Sequence, residues 1–315
     1  MIISASRRTD IPTYYSDWFY NRIKEGYVLV RNPMNTHQIS KINMSPEVVD
    51  GIVFWTKNPA PMIKRIDELN DYMYYFQFTI TPYGKDVEPN IPDKKECILP
   101  TFKALSKQIG AKRMVWRYDP ILINERYTMK YHIKAFEQIA TEIHEFTNKV
   151  TISFVDVEYK GVRTNFSQLN PSLLTMEMQI ELSAQLADIA HRFGLIIDTC
   201  AENIDLQEYG IGHARCIDDR LFSELLCSNL KIETDKSQRL ECGCVASIDI
   251  GMYNSCLNGC RYCYANYSQK TVSGNRARHN PLSPLIVGEL NSDDRVSERK
   301  VKSFRDDQMS VFDIL

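Results

Sequence analysis

Three cysteines near the end of the chain, Cys256, Cys260 and Cys263, stand as C-x3-C-x2-C within the turn-rich stretch ECGCVASIDIGMYNSCLNGCRYCYANY, Glu241 to Tyr267. Three thiolates on one side of a tight loop can hold three irons of a [4Fe–4S] cluster and leave the fourth without a protein ligand. Such an iron is open to a substrate or cofactor. Asn258 and Gly259 permit the tight turn, and successive backbone N–H groups in loops of this kind can point at cluster sulfides. Tyr262 and Tyr264 flank the last cysteine, where they either shield the group or simply pack. Three cysteines can also serve a structural zinc or a redox-sensing thiol group, although zinc would need Cys242 or Cys244 to complete its tetrahedron.

Of the nine cysteines in the chain, four more can form a closed set of thiolates: Cys200, Cys216 and the C-G-C pair Cys242 and Cys244. Such a set suits a second [4Fe–4S] cluster or a structural zinc. Iron–sulfur is favoured because it would share an electron path with the first cluster. The plain alternative is that Cys200, Cys216 and Cys227 are small buried hydrophobes. Cys97 stands apart. So many cysteines at one end of a chain without a secretion signal indicate metal or redox chemistry rather than disulfides, and a cytoplasmic location.

Charged groups fall at the ends of apolar runs. Arg7 and Arg8 beside Asp10 can grip a carboxylate or phosphate, or pair with Asp10. Lys57, Arg117 and Asp119 are equivalent candidates for lining a pocket, with Asp119 fixing Arg117 or accepting a proton. Glu202, next to Cys200, could hydrogen-bond a bound amine. The six histidines show no paired metal-binding spacing and suggest surface roles. No Walker motif, G-x-G-x-x-G fingerprint or G-x-S-x-G elbow supports nucleotide hydrolysis, NAD chemistry or serine hydrolysis.

The elements that must carry these groups alternate. Apolar runs at Ile2–Ala5, Gly51–Thr56, Met73–Thr81, Arg113–Tyr118, Val150–Val157 and Leu195–Thr199 each close on polar residues, the fifth on Glu158 and Tyr159, and Val245–Ile250 follows late. Tyr27–Arg31 is a further strand candidate. Helical stretches at Ala60–Leu69, Thr101–Ile109, Lys130–Thr147 and Leu174–Phe193 lie between them. Alternation of this kind implies parallel pairing through helical crossovers. The expected fold is therefore α/β, a TIM-like or partial (β/α) barrel, with a doubly wound sheet as fallback. Its polar strand ends would gather on the face where barrel enzymes build their sites. Residues 1–240 read as the barrel, 241–270 as the cysteine-rich segment and 271–315 as a polar extension that wraps the body and docks through Val311, Phe312, Ile314 and Leu315.

NSCLNGCRYCYAN with Tyr262 before its last cysteine resembles the signature of the radical S-adenosylmethionine (SAM) enzymes. With SASRRTDIP at Ser4–Pro12, FWTKNP at Phe54–Pro59 and WRYDP at Trp116–Pro120, the chain resembles nearly end to end the prokaryotic family catalogued as domain of unknown function 1848. The superfamily resemblance implies reductive cleavage of SAM to a 5′-deoxyadenosyl radical and hydrogen abstraction from a substrate. It also implies an external electron donor such as flavodoxin or ferredoxin. Under it Cys256, Cys260 and Cys263 would ligate the catalytic cluster, with Tyr262 and Glu202 beside the bound cofactor. The chain departs from that superfamily in placing the loop after about four fifths of its length and in lacking an obvious Gly-Gly-Glu segment.

The 38 basic and 40 acidic residues nearly balance, so there is no extended footprint for nucleic acid or an anionic membrane, and no apolar run is long enough to span a bilayer. Two other function classes fit the same residues. One is an iron–sulfur redox protein that does not use SAM. The other is a nucleic-acid-binding protein with structural zinc, whose bases would stack on aromatic runs such as Tyr14–Tyr20 and Tyr72–Phe76. The substrate, a small molecule or one derived from nucleic acid, is left open.

Overall fold

The computed structural model describes residues 1–156, 162, 169–239 and 241–306. Its strands are β1 (Ile2–Ala5), β2 (Tyr27–Arg31), β3 (Gln38–Asn43), β4 (Gly51–Thr56), β5 (Tyr74–Thr79), β6 (Met114–Ile121), β7 (Lys149–Phe154), β8 (Ile196–Thr199), β9 (Gly212–His213), β10 (Ile248–Asp249) and β11 (Arg295–Glu298). The α-helices are α1 (Ile11–Tyr14), α2 (Ser16–Glu25), α3 (Ala60–Ile63), α4 (Leu99–Ile109), α5 (Met129–Ile143), α6 (Met176–Arg192), α7 (Asp219–Leu226) and α8 (Gln269–Ala277). Glu158 and Tyr159, and the apolar residues from Val311 onward, lie outside the described residues.

Eight strands form one parallel sheet in the order β10-β1-β4-β5-β6-β7-β8-β9. From β4 to β9 every strand pairs with the next one along the chain, because each intervening segment supplies the crossover that a parallel return needs. Helices α2, α4, α5 and α6 cover one face through residues such as Phe19, Phe102, Phe136 and Leu186, which share a core with Ile3, Phe54, Phe76, Trp116 and Ile152 of the strands. Strand side chains alternate between faces. Hence Ile2, Val53, Tyr75 and Val115 point the other way and pack with Ile217, Phe222, Cys244 and Val245.

Of the expected TIM-like or partial (β/α) barrel, the structure bears out an α/β fold with an eight-stranded parallel sheet. Among the described residues β9 and β10 pair with β8 and β1 respectively and not with each other, so the sheet is open. Both are two residues long. The chain between them crosses back over the inner face, where Ile217, Phe222 and Val245 pack.

Cap chemistry sets the helix ends. Thr128 and Thr175 accept backbone N–H bonds at the starts of α5 and α6, and Gly26 takes the left-handed conformation that ends α2. A smaller sheet, β11-β3-β2, joins the far end of the chain to its beginning. The Met1 ammonium group bonds Asp50 at 2.5 Å and the Lys302 carbonyl at 2.8 Å, and the Phe304 N–H donates to Asp50 at 2.7 Å. The aromatic residues Tyr15, Trp18, Phe19, Tyr20, Tyr74, Tyr75 and Phe76 are buried in the core and offer no stacking surface.

His132 departs from the surface role expected of the histidines, being fully buried on α5. Its Nε2–H donates to the Leu122 carbonyl at 2.9 Å and its Nδ1 accepts from the Tyr118 hydroxyl at 2.8 Å. Burial pulls its pKa from 6.5 down to about 4, against the Leu122 bond, which raises it. Between these values the unfolded ring takes up a proton that the folded ring refuses, so stability falls as pH falls through this window and is recovered above it. By linkage the loss approaches about 3 kcal/mol. Urea-unfolding free energies of His132→Gln should therefore decline less steeply than those of the native chain between pH 6.5 and 4; parallel declines would show that the buried ring is protonated in the fold.

Candidate functional site

A cavity of about 830 Å³ opens at the C-terminal ends of the sheet strands. Its walls include Ser6 after β1, Trp55 and Thr56 of β4, Thr79 of β5, Arg117 and Asp119 of β6, Ser153 of β7 and Cys200 after β8. Apart from Thr56, these are inward positions of the two-residue strand repeat. Between Tyr118 and Ile121 the register of β6 against β7 shifts, an irregularity of the kind that re-aims side chains, and Asp119 lies within it. Seven cysteines line this one cavity: Cys200, Cys216, Cys242, Cys244, Cys256, Cys260 and Cys263. Cys227 and Cys97 do not.

The loop carrying Cys256, Cys260 and Cys263 is fastened to the N-terminal half of the chain. Asp10 caps α1 through the Thr13 N–H at 3.0 Å, accepts the Lys57 N–H at 2.8 Å and accepts the Asn258 side chain at 3.1 Å. The Tyr14 hydroxyl donates to Asn258 at 2.8 Å, and the Tyr15 hydroxyl to the Ser255 carbonyl at 2.6 Å. Gly259 turns the loop at φ 69°, where an L side chain is strained, and a Cβ there would stand 3.2 Å from Pro89. Backbone N–H groups of Asn258 bond Cys256, and those of Ala265 and Asn266 bond Cys263. Burial pushes all three thiols above their ordinary pKa, Cys260 to about 12. To serve as metal ligands these thiols would have to lose their protons.

Glu88 escapes a reading of the sequence, since a lone carboxylate in DVEPN carries no motif. It is buried, and it accepts from Lys57 at 2.8 Å, Lys94 at 2.5 Å, Thr81 at 2.8 Å and the Tyr262 hydroxyl. Burial pushes its carboxyl up, but the two ammonium groups outweigh this and hold it at about 2. Lys57 also lies over the Tyr262 ring, 5.4 Å from its centroid. The Tyr262 hydroxyl is thus tied to Glu88 while the residue lines the cavity.

The four other cavity cysteines also meet. Cys200 and Cys216 have their sulfurs 3.2 Å apart. Cys216 is in side-chain contact with Cys244, and Cys244 with Cys242. Arg117 Nη1 donates to Cys216 Sγ at 2.9 Å, while its Nε bonds Asp119 at 3.1 Å and its guanidinium lies over Trp55 at 5.2 Å. Asp119 thus fixes Arg117.

Arg7 and Arg8 line the cavity but do not pair with Asp10. Arg7 approaches Asp235 and Arg8 approaches Asp249, each at 3.9 Å, and Arg8 lies over the Tyr253 ring at 5.1 Å. Asp249 was also missed in the sequence. It accepts from Ser4 at 3.0 Å, Ser6 at 2.6 Å, the Arg7 N–H at 2.8 Å and the Gly251 N–H at 2.9 Å, knitting β10 to β1. Glu202 lines the cavity and accepts the Phe154 N–H at 2.8 Å; burial pushes its carboxyl pKa up.

Fold and site together define an α/β protein whose parallel sheet gathers cysteines and ion pairs at one set of strand ends. The profile of the family described as Domain of unknown function (DUF1848) matches residues 2–265, and the chain belongs to that family. No curated protein matches the chain. Among the described residues no helix is long and apolar enough to cross a membrane.

The Glu88 network yields an ordered pair of expectations. Glu88→Gln strands two ammonium groups without a carboxylate and should cost about 3–5 kcal/mol in urea unfolding. Tyr262→Phe removes one donor from a carboxylate that keeps Lys57, Lys94 and Thr81, and should cost about 1–2 kcal/mol. Equal losses would mean that the ion pairs do not hold this wall of the cavity.

Proposed function

We propose that the chain is an iron–sulfur enzyme of the radical SAM kind, in which Cys256, Cys260 and Cys263 hold a [4Fe–4S] cluster with one iron open to SAM. The observation that carries this reading is the convergence of three thiols from one short loop, two of them buried and one half-buried, on a roomy cavity at the ends of parallel strands. Sequential strand order from β4 to β9 supports a partial (β/α) barrel as the scaffold.

The donor set fits the group. All three ligands are thiols, which favour soft metals and iron–sulfur centres. A single zinc with Zn–S near 2.3 Å would hold its sulfurs about 3.8 Å apart. Among the described residues the group with ligand atoms within 4.8 Å of one another is His37, Asp293 and Asp294, not the cysteines. Backbone N–H groups on Cys256 and Cys263 sulfur are partners that stabilise anionic sulfur. When bound, the cluster supplies an electron, from a donor such as flavodoxin or ferredoxin, and SAM supplies the fragment that abstracts hydrogen from a substrate.

The chain's own residues prepare the place. Lys57, fixed by Glu88, sets a cation beside Cys260 and favours its thiolate. Arg7, Arg8, Arg117, Asp119 and Glu202 give the cavity paired charges that orient a polar substrate, and the Tyr264 hydroxyl holds the Arg7 carbonyl at 2.8 Å, keeping the cysteine loop against β1.

Reduced, anaerobically reconstituted protein should show an EPR signal altered by SAM, and with dithionite should release 5′-deoxyadenosine and methionine. Cys260→Ala should lose both properties together with about four irons. A signal indifferent to SAM would leave an iron–sulfur redox protein; zinc without sulfide would exclude a cluster.

A further inference from the structure

We infer that Cys200, Cys216, Cys242 and Cys244 form a second metal site that takes an iron–sulfur cluster and opens on the same cavity as the first three cysteines, with Arg117 as its positioning residue.

The four thiols come from three separate stretches: the end of β8, the loop after β9 and the segment before β10. No local motif brings them together, yet each touches the next, with the Cys200 and Cys216 sulfurs 3.2 Å apart. Isolated core cysteines have no reason to meet in a file of four, and the packing of such small apolar side chains does not call for a cation. Here a cation is supplied. Arg117 is only 5% exposed, is clamped by Asp119 and aims Nη1 at Cys216 Sγ from 2.9 Å. The Ile217 N–H adds a second donor, to Cys244 Sγ at 3.4 Å. A guanidinium stripped of water and aimed at sulfur is suited to anionic sulfur, which is how donors around iron–sulfur centres act.

All-thiolate ligation narrows the choice to zinc or iron–sulfur. The sulfurs of this group, like those of the first, do not appear among the described residues as a set within 4.8 Å, the compactness a single ion requires. The 3.2 Å gap between Cys200 and Cys216 must widen for either group, and the cavity shared with the first three cysteines, which would give two centres one electron path, favours the cluster. Its open side faces the cavity, so Cys200, Cys216, Cys242 and Cys244 would place a second redox centre on the wall of the proposed substrate chamber.

The test compares two variants of the full chain, purified anaerobically and assayed for iron, zinc, acid-labile sulfide and EPR. Cys242→Ser/Cys244→Ser should lose about half of the iron and sulfide and keep the SAM-sensitive signal. Cys256→Ser/Cys260→Ser/Cys263→Ser should keep the other half, with a signal that SAM does not alter. In that second background Arg117→Gln should move the remaining signal to a lower reduction potential and Arg117→Lys should move it less, because a donor and its charge are lost only in the first. Loss of all iron in the triple variant would overturn the second site and leave the first reading standing. Loss of all iron in the double variant would overturn the first reading instead. Should the triple variant not fold, full iron retention in the double variant overturns the second site on its own. Zinc bound by these four cysteines, or a Cys200–Cys216 disulfide in the anaerobic native chain, would also overturn it.

Discussion

Two buried carboxylates, Asp10 and Glu88, hold the cysteine loop in place. Asp10 ties the start of α1 and the end of β4 to Asn258, some 248 residues further along the chain. Glu88 ties the segment after β5 to Tyr262 across 174 residues. Burying a carboxylate is costly unless its lone pairs are used. Asp10 answers that cost with backbone and amide N–H groups, Glu88 with two ammonium groups and two hydroxyls. Cys260 and Tyr262 of the loop pack with Tyr83, Val87, Leu122 and Tyr127, and the polar anchors add the directional bonds that fix its three thiols against the strand ends.

The open sheet serves the same end. A closed eight-stranded barrel fills its interior with layers of side chains and leaves no space for chain. Here β9 and β10 stay short and unjoined, and the segment between them enters the inner face. It brings Cys216, Cys242 and Cys244 to the inward positions Arg117 and Cys200, and its apolar residues Ile217, Phe222 and Val245 replace the missing barrel layers. The sheet's polar inward residues, among them Gln77 and Arg117, then have partners: Gln77 donates to the Cys216 carbonyl at 2.8 Å, as does Tyr75.

Much of this was legible in the residue pattern, because short apolar runs closed by polar residues are a local signal. Ile2–Ala5 and Gly51–Thr56 are strands over the very residues read from the sequence, and α6 ends before Gly194 in its left-handed turn. The cysteines could be picked out by type and spacing, and all seven named ones do line one cavity. What stayed hidden depends on distant partners. Glu88, Asp249 and His132 have no local signature; each is defined by groups 6 to 245 residues away that tertiary packing alone supplies. Pairing of Arg7 or Arg8 with Asp10 was a natural local guess, but Asp10 is consumed as a helix cap and loop anchor, and the arginines turn to Asp235 and Asp249 instead. Sheet closure was equally out of reach, since β9 is two residues long and the apolar run Val245–Ile250 pairs only through Ile248 and Asp249.

The charges around the cavity are largely paired among themselves. Lys57 and Lys94 share Glu88, Arg117 is clamped by Asp119, and Arg7 and Arg8 face Asp235 and Asp249. Asp10 and Glu202, without an ion partner of this kind, are satisfied by N–H groups, and burial pushes both carboxyl groups upward. Among the described residues these lysines and arginines are each already paired with a carboxylate. Cys256, Cys260 and Cys263 are therefore held protonated by burial in the metal-free chain. Under the proposed reading, a multiply charged centre entering the cavity would convert them to ligands, so that metal binding and the final electrostatic balance of the site would be one event.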